Sequence, residues 1–221
     1  MSLKWDFSTV ADHLEEALRS AEADLRLEQA VYGLDAKDER DLQALLAGRL
    51  ATWYSVAREV HYPSSKGKKL THRARCDLVL SPKGHPLEPV KPPEQNLFTL
   101  APGEGDVRYC PPGDALWLEV KVAYQFREGG TRHKGYGAQW RQQVVSDLQK
   151  MEAEPQIHEA GLVLIVFNES GEILAKDLEL FEDVLALKEV LAGFRQVRSV
   201  PILDRIGHNL CTAAVWPTIQ R

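Results

Sequence analysis

The segment from Ala115 to Phe126, ALWLEVKVAYQF, constrains the fold of this chain more than any other feature. It is apolar on both sides, which is typical of a central strand in a covered sheet. Because successive side chains of a strand point to opposite faces, Glu119 and Lys121 share one face with Trp117. An acid and a lysine are costly to bury in an apolar strand without partners. The segment therefore predicts a buried sheet with a polar site built into it.

Apolar periodicity in the rest of the chain predicts an α/β fold, with a mixed central β-sheet flanked by helices. Helical spacing favours a helix from Asp6 to Val31 and two later helices at about Ala138 to Glu154 and Asp177 to Leu191. Between them, Asp35 is the expected cap of a second helix whose apolar stripe is Leu42, Leu45, Leu46, Leu50 and Trp53. Strand patterns lie at residues 55–63, 71–80, 115–126, 160–168, 196–203 and 212–219. The first two of these strands are expected to form an antiparallel hairpin.

One domain accounts for all 221 residues, because no linker separates two units and no internal repeat occurs. We divide it into an N-terminal helix (1–34), a core (35–192) and C-terminal strands (193–221). Residues 81–114 form a proline-rich insertion in the core, with eight of the chain's twelve prolines between Ser81 and Gly113. Because this stretch lacks periodicity and links two core strands, we expect an irregular surface excursion near the mouth of the site.

Composition limits the cellular context. The longest apolar run, Gly161 to Phe167, is too short to span a bilayer, and early acidic residues argue against a secretory signal. Three cysteines without a CxxC pair argue against a disulfide framework or a cysteine zinc site. We therefore expect reduced thiols in the cytoplasm and no association with a membrane.

The distribution of charge bears on the class of partner. The net charge of −5 argues against a protein that coats nucleic acid over its whole surface. Two stretches are locally basic, Ser64 to Cys76 and Arg127 to Arg141. Salt screens charges beyond about 10 Å, so such clusters matter more than the total. Each stretch suits contact with phosphates, or is simply a solvated loop.

Asp77 is the second acid of interest, because it lies on the predicted strand that precedes the central one. If the two strands are neighbours, Asp77 lies beside Glu119. Two carboxylates a few ångströms apart repel each other unless a positive charge lies between them. A hard divalent cation such as Mg²⁺, which prefers oxygen ligands, is the natural occupant.

These residues carry a resemblance to a known family. RCD77LVL followed by LWLE119VK121V resembles the motif of the PD-(D/E)xK superfamily of restriction-endonuclease-like nucleases, and the order helix, strands, helix, strand agrees from about Asp38 to Asn168. The sequence departs from the motif in two ways: Cys76 stands where the proline is usual, and the gap from Asp77 to Glu119 is long. The resemblance implies a restriction-endonuclease-like core.

The resemblance also implies an activity, namely metal-dependent hydrolysis of phosphodiesters, with DNA as a commoner substrate than RNA. Asp77, Glu119 and the backbone carbonyl of Val120 would hold Mg²⁺ or Mn²⁺, which activates water and neutralises phosphate charge. Lys121 would orient the attacking water or stabilise the developing negative charge.

Accessory residues follow from the same resemblance. Gln143 and Lys150, on the helix after the central strand, are candidates for contact with the scissile phosphate; an Asp147–Lys150 surface pair is the competing interpretation. Glu39 is a candidate metal-proximal acid on the first core helix, or else a first-turn acid favoured by the helix dipole. Glu59 is a further acidic candidate.

Two other functions stay open. One is a catalytically inactive nucleic-acid-binding or assembly module on the same fold, which the acidic net charge favours. The other is a small-molecule-binding α/β domain in which the resemblance arose by chance. The N-terminal helix is expected to pack its Leu14, Leu18 and Leu25 stripe on the domain or on a second copy, and the latter would give a homodimer.

Overall fold

The computed structural model describes residues 4–65, 74–89, 108–127 and 129–219. Side chains of residues 65, 138–140, 142 and 143 lie outside this description. The described helices are α1 (Phe7–Leu27), α2 (Glu39–Leu50), α3 (Tyr136–Glu152) and α4 (Gly171–Leu187). The described strands are β1 (Tyr54–His61), β2 (Arg75–Pro82), β3 (Leu116–Tyr124), β4 (Phe126–Arg127), β5 (Thr131–Arg132), β6 (Glu159–Asn168), β7 (Gln196–Pro201) and β8 (Leu210–Pro217).

Six of these strands form one mixed sheet in the order β1-β2-β3-β6-β8-β7, and β4 and β5 form a separate hairpin. Neighbouring strands are antiparallel except for β3 and β6, which run parallel. A parallel pair needs a crossover connection, and α3 lies in the connection between β3 and β6. The predicted mixed α/β class, with helices flanking a mixed sheet, is therefore confirmed.

Helices cover both faces of the sheet, so the strands are buried between two apolar layers. On one face, Leu14 and Leu18 of α1 and Leu46 of α2 belong to the same apolar layer as the strand residues Leu118 and Ile165. On the other face, Leu148 of α3 and Phe181 of α4 belong to the same apolar layer as the strand residues Trp117, Leu164 and Trp216. Adjacent residues of β3 thus contribute to opposite layers, as the alternation of its sequence predicts.

The boundaries of three helices differ from the predicted ones for local reasons. The expected cap of α2 at Asp35 is wrong, because Asp38 caps this helix by accepting a hydrogen bond from the Asp41 amide. The predicted start of α4 at Asp177 is wrong, because Ser170 caps the helix by accepting a hydrogen bond from the Ile173 amide, and Leu174 is already buried. The predicted end of α1 at Val31 is also wrong. Gln29 has a φ of 52°, and the Ala30 amide donates to the carbonyl of Leu25. These two features end the helix by Leu27.

The proline-rich insertion is only partly described, since residues 90–107 lie outside the described ranges. Its described ends meet in a parallel bridge between Leu87 and Cys110. They leave the sheet beyond Pro82, five residues after Asp77, or about 16 Å at the rise of a strand. The expected position of the insertion near the mouth of the site falls largely on residues 90–107, which lie outside the described residues.

The cysteines and the described helices bear on the expected cellular context. Cys76, Cys110 and Cys211 are all buried and carry free thiols. Among the described helices, none has both the length and the apolar character that crossing a membrane requires.

Candidate functional site

The candidate site lies where β2 and β3 part. The two strands pair only at Leu80–Leu116, Val79–Trp117 and Leu78–Leu118. One step further along this register, Asp77 lies opposite Glu119. Beyond this point β2 continues alongside β1, and β3 continues alongside β6. The two acids therefore face a fork in the sheet.

Asp77 is held in this fork by the backbone of the neighbouring strand. Its Oδ2 accepts a hydrogen bond of 2.8 Å from the Val120 amide, which has lost its partner on β2. Burial raises the pKa of Asp77, although the Val120 amide and the nearby Lys121 oppose this shift. The Asp77 side chain thus accepts the hydrogen bond that a backbone carbonyl of β2 would otherwise accept from the Val120 amide. This bond holds the carboxylate in place without a ligand.

Glu119 is the most deeply buried acid of the site, with only 2% of its surface exposed. Tyr62 donates its hydroxyl to Glu119 Oε1 at 2.5 Å, and Lys150 Nζ lies 2.5 Å from the same oxygen. Burial, and after it the charge of Asp77, raise the pKa of Glu119 to about 7 against the opposing effects of Lys150 and Tyr62. Near neutral pH this carboxyl is thus poised between its charged and neutral forms.

Lys121 points its ammonium group into a cage of oxygen atoms from three elements. Its Nζ lies 3.3 Å from Glu39 Oε1, 3.6 Å from Asp147 Oδ2 and 3.8 Å from Asp77 Oδ2. It also donates to the Val120 carbonyl at 3.3 Å. Burial lowers the pKa of Lys121, but the surrounding carboxylates outweigh burial and hold the pKa above its ordinary value. The lysine is therefore fully charged in the site.

Two helices bring the remaining residues to the fork. Glu39 is the first residue of α2, directly after the N-cap Asp38, whose side chain accepts from the Asp41 amide. Asp147 and Lys150 lie one turn apart on α3, 3.1 Å from each other. The predicted Asp147–Lys150 pair therefore exists. It is not an isolated surface pair, because Asp147 also contacts Lys121 and Lys150 also contacts Glu119.

The donor atoms fit a hard divalent cation in charge and type. Glu39, Asp77, Glu119 and Asp147 are four carboxyl groups facing two lysines, an excess of two acids. The oxygens around Lys121 Nζ include the Val120 carbonyl, and carboxylates with carbonyls are the ligands that Mg²⁺ prefers. Within the described ranges, no three His, Cys, Asp or Glu side chains are arranged to hold a metal by themselves. A cation would thus need Val120 or water among its ligands.

The structure brings together most of the residues singled out from the sequence. Asp77, Glu119, Val120, Lys121 and Glu39 meet at the fork. Lys150 joins them there. The side chain of Gln143 lies outside the described residues, although its place on α3 is defined. Glu59 does not join the site, because it has a φ of 53° and pairs with Arg75 at 3.9 Å on the exposed edge of the hairpin.

Sequence reasoning missed Tyr62 and assigned Asp147 no role in the site. Tyr62 directly follows β1, which is separated from β3 by β2, so its contact with Glu119 depends on how the chain turns there. The signal available in the sequence was the aromatic residue itself, at the end of a strand and next to Pro63. For Asp147, the signal was an acid within the apolar stripe of α3, where Val144, Leu148 and Met151 are buried.

Cys76 occupies the position where the resemblance leads one to expect proline. Its thiol is fully buried and donates to the Leu118 carbonyl at 3.3 Å. Burial raises the pKa of this thiol well above its ordinary value, and the charges of Glu119 and Asp77 act in the same direction. The residue is therefore a neutral packing element beside the acids, not a charged ligand.

Comparison of the chain with protein-family models, curated proteins and solved structures gave no match in any of the three.

Proposed function

We propose that this protein is a metal-dependent nuclease of the PD-(D/E)xK type, which hydrolyses phosphodiester bonds in DNA. The observation that carries the proposal is the fork itself. Asp77 and Glu119 lie opposite each other where β2 and β3 part, and Lys121 follows on the same strand with its ammonium group among oxygens. DNA is preferred to RNA because it is the commoner substrate of the superfamily that the motif resembles.

The path of the chain around the site supports the same proposal. The helix α2, the antiparallel strands β1, β2 and β3, the crossover helix α3 and the parallel strand β6 follow in that order, and the strands are adjacent in the sheet. This is the order that the resemblance to restriction-endonuclease-like nucleases implies. Fold-level similarity alone does not establish an activity, so the residues at the fork remain the stronger support.

The residues at the fork suit distinct roles in phosphodiester hydrolysis. Asp77, Glu119 and the Val120 carbonyl would hold Mg²⁺ or Mn²⁺, and the bound ion would lower the pKa of a water molecule and neutralise phosphate charge. The Val120 amide fixes Asp77 in place before any ion binds. Lys121, which is held charged by its acidic neighbours, would stabilise negative charge that develops on the phosphate.

A specific observation favours the second candidate, a non-catalytic nucleic-acid-binding or assembly module. The two lysines already pair with the acids, since Lys150 contacts Glu119 at 2.5 Å and Lys121 contacts Glu39, Asp77 and Asp147. Such a cluster is partly neutralised without a metal ion. A structural ion-pair network of this kind would hold α2 and α3 on the sheet.

Cleavage assays distinguish these two functions. Purified protein would be incubated with supercoiled plasmid, single-stranded DNA and RNA, in Mg²⁺, Mn²⁺ or EDTA. We expect cleavage of DNA that requires the metal ion and falls on the order of 10²-fold or more in Lys121→Ala and in Asp77→Asn. Lys176→Ala on the exposed surface of α4 is the matched control and should cleave as the unmodified protein does.

Two outcomes would count against the nuclease. Equal cleavage by Lys121→Ala and Asp77→Asn would assign the activity to a contaminant or to another site. Binding of nucleic acid without cleavage under any metal ion would favour the non-catalytic module.

A further inference from the structure

A cavity of about 650 Å³ lies beside the N-terminus of α2. Two of its wall residues, Lys37 and Asp38, directly precede Glu39 in the chain. Another, Tyr124, lies on β3 with its ring on the face that α1 and α2 cover, opposite to the face of Glu119 and Lys121. The volume of the cavity is within the range of roughly 300–1,000 Å³ that is typical of pockets for small organic ligands. Because Glu39 follows Asp38 in the chain and contacts Lys121 at 3.3 Å, a strand bound at the fork would reach the cavity around the N-terminus of α2.

Aromatic side chains form much of the wall, and two of them are held in place by the fold. The ring of Tyr124 stacks on Phe167, with ring centres 5.2 Å apart, and its hydroxyl donates to the Lys37 carbonyl. The backbone amide of Phe126 donates to His208 Nε2 at 3.0 Å. Tyr32 also lines the cavity and is 68% exposed. Flat rings in a fixed wall suit a flat ligand, because base–aromatic stacking needs little adjustment.

The charges of the wall exclude an anion as the preferred occupant. Three carboxylates, those of Asp35, Asp38 and Asp41, face two permanent cations, Lys37 and Arg127. Asp35 is buried and its Oδ2 pairs with His208 Nδ1, while its Oδ1 has no hydrogen-bond partner among the described residues. Carboxylates accept hydrogen bonds from amino groups. The wall thus suits a neutral ring with an amino donor, not a phosphate.

Positive charge lies outside the cavity, on the β4–β5 hairpin and the residues after it. Arg132 and Lys134 are exposed there, next to Arg127 at the edge of the wall, although Arg132 also pairs with Glu169 at 3.2 Å. Phosphate contacts from such residues position a nucleic-acid strand without reading its sequence. A strand that follows this basic surface would have its phosphates outside and a base directed towards the cavity.

We propose that the cavity binds the unpaired base of a nucleotide next to the scissile phosphate, so that the preferred substrate is single-stranded DNA. This inference rests on the nuclease function proposed above. A base in continuous duplex would have to unpair and unstack to enter, which costs free energy, whereas a base in single-stranded DNA would not. The carboxylates further select adenine, guanine or cytosine over thymine, because thymine lacks an amino group.

The test compares cleavage of a single-stranded oligonucleotide with cleavage of the duplex of the same sequence, by the full chain in Mg²⁺ or Mn²⁺. We expect the single strand to be cut at least about tenfold faster. Tyr32→Ala should weaken single-strand binding and cleavage by about fivefold to 100-fold, because stacking contributes about 1–3 kcal/mol per base. Tyr109→Ala removes an exposed aromatic ring (48%) that does not line the cavity, and it should change neither single-strand binding nor the rate of cleavage.

The base preference is tested on the same proteins with homopolymers. Oligo-dC and oligo-dA should be cut faster than oligo-dT, and Asp41→Asn, an exposed change on the wall, should reduce that difference. Faster cleavage of duplex, or an unchanged single-strand preference in Tyr32→Ala, would overturn the cavity assignment and leave the nuclease intact. No cleavage of any substrate, together with oligonucleotide binding that Tyr32→Ala does not alter, would overturn both.

Discussion

The carboxylate of Asp77 accepts a hydrogen bond from the Val120 amide at 2.8 Å, in the place that a backbone carbonyl of β2 would fill if the strands continued to pair. One side chain thus ends the pairing of β2 with β3 and also faces Glu119. The two strands can part here because the Asp77 side chain accepts the hydrogen bond of the first unpaired amide, that of Val120. The carboxylate of Asp77 therefore serves both the end of strand pairing and the proposed metal site.

The two roles of Asp77 can be separated by substitution. Asp77→Ala should lower the free energy of unfolding by about 1–3 kcal/mol, because it leaves the Val120 amide without an acceptor. Asp77→Asn keeps an oxygen acceptor and removes the repulsion with Glu119, so its stability should stay close to that of the unmodified chain. Urea denaturation in EDTA measures both, and equal losses of stability in the two variants would contradict this role for the hydrogen bond. Both variants should lose metal-dependent cleavage.

The raised pKa of Glu119 predicts that the metal-free protein loses stability as pH rises. The folded state holds a proton up to about pH 7, whereas an ordinary glutamate loses it near 4.5. The folded state thus binds more protons than the unfolded state between these values, and stability falls as pH rises through this window, by at most about 3 kcal/mol. The pKa of Asp77 is raised too and acts in the same direction.

Denaturation in EDTA between about pH 5 and pH 8 tests this prediction. Glu119→Gln should flatten the dependence, since the side chain no longer titrates. Lys150→Met should steepen it, because the ammonium group that opposes the shift is removed. A stability that rises over this range in the unmodified protein would show that the burial of Glu119 is compensated in another way.

Lys121→Ala should separate metal binding from cleavage. The ammonium group occupies the oxygen cage formed by Glu39, Asp77, Asp147 and the Val120 carbonyl. Removing it leaves these oxygens free and makes the site more negative, so Mg²⁺ or Mn²⁺ should bind at least as tightly as before. Titration calorimetry measures this affinity, with Asp77→Asn as the variant that should bind the ion more weakly. Loss of metal binding in Lys121→Ala would mean that the lysine organises the ligands instead of competing for them.

The packing of α1 predicts a large effect of a change far from the site. Leu18 is fully buried between α1 and the sheet, whereas Leu27 on the same helix is 82% exposed. Leu18→Ala should therefore lower the free energy of unfolding by about 2–5 kcal/mol, and Leu27→Ala should stay within about 0.5 kcal/mol. Thermal or urea unfolding compares the two. Similar values for both would show that α1 contributes little to the core.

Much of the fold follows from local patterns that depend only on neighbouring residues. The alternation in Leu116 to Tyr124 and the apolar run after Ala160 predict buried strands, and both lie at the centre of the sheet. The apolar stripe of Leu14 and Leu18 predicts a helix that packs on the domain, and both side chains are buried. Such patterns report which face of an element is covered, because burial of apolar surface is the dominant favourable term in folding.

Helix ends were less predictable than helix centres. The cap at Ser170 and the left-handed residue Gln29 set the boundaries of α4 and α1, and each depends on one or two hydrogen bonds. Those bonds compete with alternatives of similar energy, so the periodic stripe does not reveal them.

For the site, the sequence alone determined that Glu119 and Lys121 share a face of β3, because the side chains of a strand alternate with a period of two. Only the tertiary structure decided the rest. Asp77 meets Glu119 through the register of two strands joined by a long insertion, and Tyr62, Glu39 and Asp147 arrive from separate elements. These contacts join residues that are distant along the chain, and their distances depend on how whole layers pack. A periodicity of two or 3.6 residues carries no information about that packing.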